Sequence, residues 1–72
     1  MKPKTMNLII KAVNRAREKH PSFADGDYQV VSLAAEELGE FAQAINDDDT
    51  LKAMSEALDL IAVLVRYLEG DE

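Results

Sequence analysis

Residues 36–59 read EELGEFAQAINDDDTLKAMSEALD, and the architecture turns on this stretch. Apolar residues recur at three- and four-residue spacing on both sides of a polar break, Asn46-Asp47-Asp48-Asp49-Thr50, with none of the alternation a strand requires. Two helices joined by five residues are expected to fold back on one another, so the segment predicts an antiparallel helical hairpin. Asp49 or Thr50 is expected to cap the second of them. The successive aspartates read as caps and solvated loop, because acids are favoured at a helix N-terminus and the run lacks the glycine and ligand spacing of a calcium loop.

Outward from the break, one helix extends back to a cap at Asp25 or Asp27 and forward to about Ile45; the other runs to Glu69, where Gly70 ends it. A further helix is predicted from about Met6 to about Lys19, since Met6, Ile9, Ile10, Val13 and Ala16 recur at helical spacing, with Thr5 as its N-cap. His20-Pro21 stops it, proline disfavouring helical geometry in the residue before it. The expectation is all-α: a three-helix chain forming one domain over residues 1–72, whose hairpin enters a multi-subunit four-helix-type bundle.

A domain of 72 residues buries only about 60% of the surface its unfolded chain exposes, so extra stabilisation is expected. Without cysteine and with one histidine, neither disulfides nor a thiolate or imidazole metal cluster supplies it. Self-association does, as a homodimer or higher homo-oligomer. Fourteen acids against eight bases, a formal net charge of −6, exclude a nucleic-acid surface and would repel a free nucleotide unless divalent cations bridge it. No apolar run approaches the roughly 20 residues that span a bilayer, and the expected location is cytoplasmic.

The faces of the helices sharpen the reading. At about 100° per residue, Val30, Leu33, Ala34, Leu38, Phe41, Ala44 and Ile45 share one apolar arc; Glu37 falls inside it, Glu40 lies at its edge about 60° away, and Glu36 points further out. An ionised glutamate on an apolar stripe is costly unless something pairs with it. In the third helix Leu51, Met54, Ala57, Leu58, Leu60, Ile61, Ala62, Leu64, Val65 and Leu68 cover most of the circumference, predicting a helix enclosed on nearly all sides. Its polar stripe carries Lys52, Ser55, Glu56, Asp59 and Arg66. Pairing about residue 48 sets Glu40 opposite Glu56 and Glu37 opposite Asp59, across axes roughly 8 to 10 Å apart. Two like charges about 4 Å apart cost on the order of 4 kcal/mol at an effective dielectric of 20, so the four acids must share protons, splay or bind cations. An oxygen-only ligand set suits Mg²⁺ or Mn²⁺.

Glu36-Glu37-Leu38-Gly39-Glu40 followed by Glu56-Ala57-Leu58-Asp59 resembles the EExxE and ExxD motifs of MazG-like proteins, in the all-α NTP pyrophosphatase superfamily. The resemblance covers about Tyr28 to Glu69. It implies metal-dependent hydrolysis of a nucleoside triphosphate to the monophosphate and pyrophosphate, with Glu37, Glu40, Glu56 and Asp59 as Mg²⁺ ligands. It further implies a catalytic role for Glu36, as an assisting acid or the base that orients water. Relatives commonly continue into another helix whose bases contact the phosphates. Here Lys52 and Arg66 are the bases on the carboxylate stripe and stand as substrate-binding residues, with Arg15, Arg17 or Lys19 of a partner subunit as other sources.

Plainer readings stand beside these. Lys52 is spaced to pair with Glu56, His20 to meet helix-end carbonyls, and Phe23, Tyr28, Met6 and Met54 to fill core. A non-catalytic helical dimer or assembly module that retains the motif is the competing function. A di-iron carboxylate bundle is disfavoured, because no histidine follows the acids at the Glu-x-x-His spacing.

Overall fold

A computed structural model describes residues 1–71. They form three helices and no strand: α1 (Pro3–Lys19), α2 (Asp27–Asn46) and α3 (Thr50–Leu68). The all-α expectation holds.

The helix ends show where local sequence rules acted and where they yielded. α1 begins a turn earlier than expected, with Lys2 at the N-cap and Pro3 at the first helical position, where its missing N–H costs nothing. Thr5 therefore lies inside the helix and caps nothing. α2 starts at Gly26, φ 97°, and neither Asp25 nor Asp27 caps it through a side chain. Instead the Gln29 side chain reaches back and accepts the Asp25 backbone N–H. α3 is capped as expected by Asp49, whose Oδ1 accepts the Lys52 N–H at 3.1 Å. Asn46 belongs to α2, so the connection is only Asp47–Asp49, and Asp48 takes the left-handed conformation, φ 54°, that aspartate tolerates better than most residues.

α3 packs against both other helices, while α1 and α2 do not pack on each other. Small side chains permit that central placement: Ala53 and Ala62 of α3 are buried, as are Ala12 and Val13 of α1 and Val30 and Ala44 of α2. Ala12, Val13 and Ala62 form the α1–α3 core, with Ile9, Ala16, Leu58 and Val65 half-buried around it. Among the described residues no large side chain is fully buried.

The predicted enclosure of α3 is not achieved within one chain. Leu51 and Leu68 are each 81% exposed, and Met54 and Leu64 are exposed as well. On α2 the same holds for Leu38 and Ile45; Tyr28, expected in the core, is 92% exposed, and Met6 also lies at the surface. The accessible surface is 5355 Å², against about 4,450 Å² for a compact monomer of 8.0 kDa. The radius of gyration is 12.3 Å, where about 11 Å is usual for this length.

Because Asp49 Oδ1 satisfies a donor at the α3 N-terminus that otherwise lacks an intrahelical partner, Asp49→Ala should cost about 1 kcal/mol. Urea denaturation should show a lower midpoint at an unchanged m-value.

Candidate metal centre and the adjoining cavity

α2 contributes Glu37 from its apolar face, and α3 contributes Glu56 and Asp59 one turn apart. One carboxylate oxygen of each lies within 4.8 Å of those of the other two. Side chains this close could be drawn together by one hard cation, which would take an oxygen from each. Glu40 is outside this triad but stands next to Glu37 and Glu56 and acts on both.

Two oxygens of the cluster are enclosed and unpartnered, Glu37 Oε2 and Glu56 Oε2. Buried carboxylate oxygens normally accept a hydrogen bond, and these face other acceptors instead. Protonation or a cation resolves that conflict. The donor set, entirely carboxylate oxygen, fits a hard divalent cation.

Electrostatics register the crowding. Burial, first, and then the charges of Glu40, Asp59 and Glu56 push the Glu37 carboxyl from 4.5 up to about 7, with a hydrogen bond to Glu40 adding to the shift. Glu56 is raised first by the neighbouring Glu40 side chain as a hydrogen-bond partner, then by burial and by the Glu40 and Asp59 charges, while Lys52 opposes the rise. Two ionised carboxylates have no proton between them to donate, so each such bond exists only when one partner is protonated.

Beside the triad opens a cavity of about 440 Å³. Its lining combines Glu36, Glu37 and Asp59 with Arg15, Lys19 and His20 from the end of α1, and Leu33, Ala62, Val63 and Phe23 add apolar wall. Arg15 and Lys19 thus line the cavity beside the acids from within the same chain, whereas the sequence suggested them as a partner's contribution. Their spacing was the available signal: they sit four residues apart on α1, flanking Ala16, which packs on the α1–α3 core.

The two bases expected to serve the substrate differ in position. Lys52 is exposed, does not line the cavity, and makes no ion pair with Glu56 among the described residues. Arg66 lines the cavity but is only 3% exposed. Its Nε donates to Asp71 Oδ2 at 2.8 Å, its Nη1 to the Ala16 carbonyl at 3.3 Å, and its guanidinium lies 4.7 Å from the Phe23 ring centroid. Phe23 is half-buried beneath it, and His20 ends α1 through its backbone N–H, bonded to the Ala16 carbonyl at 2.9 Å.

Glu37 binds its proton more tightly folded than unfolded, so its contribution to stability is complete below pH 4.5 and is lost as pH rises through about 7. In EDTA, urea denaturation should show wild-type protein weakening between pH 5 and pH 8, and Glu37→Gln should flatten that dependence. Millimolar Mg²⁺ or Mn²⁺ should raise the wild-type melting temperature at pH 8 and act much less on the variant. A melting temperature indifferent to both ions and to EDTA would remove the metal assignment.

No protein-family model, curated protein or solved structure matches this chain, so the site stands on its own geometry.

Proposed function

We propose that the chain is a Mg²⁺-dependent nucleoside triphosphate pyrophosphohydrolase, releasing the monophosphate and pyrophosphate, that works as a homo-oligomer. The observation that carries this reading is the Glu37–Glu56–Asp59 triad with two unpartnered buried oxygens, beside a cavity that cationic side chains also line. The resemblance of residues 36–40 and 56–59 to the EExxE and ExxD motifs points to the same chemistry.

In this reading Glu37, Glu56 and Asp59, with Glu40, hold the cation, with Mn²⁺ able to replace Mg²⁺. The bound ion lowers the pKa of water and neutralises charge on phosphoryl oxygens. Glu36, exposed on the cavity wall, orients the attacking water or takes its proton. Arg15 and Lys19 hold the outer phosphates, Lys52 steers substrate toward an otherwise acidic surface, and Arg66 supports the cavity floor. Leu33 and Phe23 offer apolar surface to the nucleoside.

The assembly is read from the surface. The three-residue connection makes α2 and α3 an antiparallel hairpin, and the exposed Leu38, Ile45, Leu51, Met54 and Leu68 leave a bundle incomplete in one chain. The roughly 900 Å² of surface beyond that of a compact monomer compares with about 800 Å² per partner in a standard interface. Light scattering should give an even multiple of 8.0 kDa at micromolar concentration. A folded monomer would refute the assembly.

A panel of nucleoside triphosphates, including dUTP, dCTP and oxidised purines, together with phosphoribosyl-ATP, assayed with Mg²⁺ for pyrophosphate release, tests the activity. Asp59→Asn and Glu40→Gln should each lower turnover at least about 100-fold, and Arg15→Ala should act mainly on KM. The same apolar faces favour a second reading, a non-catalytic assembly module. An oligomer that binds metal yet turns over nothing on the panel would establish it.

A further inference from the structure

The residues just beyond α3 form a cluster that the proposed chemistry leaves unused. α3 ends in a Schellman motif: Gly70, φ 74°, donates its N–H to the Tyr67 carbonyl at 3.1 Å, and Asp71 donates its N–H to the Arg66 carbonyl at 3.0 Å. The two positions this motif brings together usually make an apolar contact. Here they are Arg66 and Asp71, joined by an ion pair of 2.8 Å. Arg17 of α1 grips the same carboxylate from the other side, Nε to Oδ2 at 2.8 Å and Nη2 to Oδ1 at 3.2 Å, and its Nη2 also meets Glu69 Oε1 at 2.9 Å.

Asp71 therefore occupies the place of an anion between two guanidinium groups. Arg66 is buried, so its charge requires an anionic partner. Of its five N–H donors, Nε and Nη1 account for two; the others have no partner among the described residues, although the group lines the cavity. A carboxylate gives such a pair two oxygens and one charge. A phosphoryl group gives three oxygens and nearly two charges, and arginine forks bind it in the same bidentate manner.

We propose that Arg17 and Arg66 form an oxyanion site of the phosphate class, filled here by the chain's own Asp71 and vacated when a phosphoryl group displaces that carboxylate. The site requires neither hydrolysis nor a metal ion. Asp71 is a tethered competitor, and the apparent affinity for phosphate is lowered by the fraction of molecules in which it is seated.

The test is calorimetric titration of the full chain in EDTA at fixed ionic strength. Inorganic phosphate and ADP serve as the two probes, since either a free ion or the phosphoryl end of a larger molecule would present the required chemistry. D71N should bind at least one probe about tenfold more tightly than wild type, and R17A/D71N should lose the gain. D25N removes an equal charge at an exposed position that takes no part in the ion pairs and should behave as wild type. Phosphate tighter than ADP would mark a free-ion site, and ADP tighter than phosphate a nucleotide-borne one. A second measurement needs no variant: in wild-type protein the Asp71 carboxyl carbon resonance should move on addition of the tighter-binding probe and stay fixed with chloride. A folded D71N that binds both probes no better than D25N would overturn the proposal, reducing Asp71 to a helix-end clasp. Should D71N fail to fold, a wild-type Asp71 resonance unmoved by both probes would do the same.

Discussion

Everything in this small structure depends on α3 being approached closely from two sides. It is the only element in contact with both others, and at those contacts it presents alanine: Ala53 and Ala62 are buried where longer side chains would hold the helices apart. A helix flanked in this way has little freedom to rotate about its axis. Seating its small residues fixes where Glu56 and Asp59 point, and they point at Glu37. The carboxylate cluster is thus a consequence of packing, held in place against its own repulsion.

That repulsion gives the cluster its chemical character. Glu37 lies on the apolar arc of α2, where burial alone favours its neutral form, and three further acids face it. Two carboxylate oxygens remain enclosed without a donor. A protein of marginal size retains such a cost only where something offsets it, and a divalent cation does so most directly, converting mutual repulsion into shared coordination. Arg15 and Lys19 of α1 line the same cavity as Glu36, Glu37 and Asp59, so charges of both signs border it.

The second constraint is the thinness of the core. Three helices of 17, 20 and 19 residues, arranged with one between two, leave the outer faces of α2 and α3 unsupported. Leucines and a methionine on those faces are exposed where the helical pattern calls for burial. The buried Arg66 belongs to the same economy: with Asp71, Ala16 and Phe23 around it, a charged side chain fills a position near the end of α3 that a larger domain would fill with hydrocarbon.

By itself, the sequence determined the helices and the faces they carry. Helical periodicity, Pro21, the aspartates before Thr50 and Gly70 are local signals, and elements set by local signals can be read from the chain directly. The Asp49 cap and the glutamates of residues 36–40 and 56–59 were legible for the same reason, since i, i+3 and i, i+4 relations are fixed by helix geometry. Other features were decided only by tertiary structure. Gly26 and Gln29, in place of Asp25 or Asp27, organise the start of α2, because the path of the preceding loop sets that geometry. The placing of Arg15 and Lys19 in the lining of the cavity beside the acids depends on how α1 crosses α3, an angle that periodicity does not encode. Arg66 sits on the carboxylate stripe in sequence, yet its guanidinium is held by Asp71, which lies beyond the helix and is brought back by the turn at Gly70. The burial of a helical side chain depends on what packs against it, and the sequence of a single helix contains no record of its neighbours.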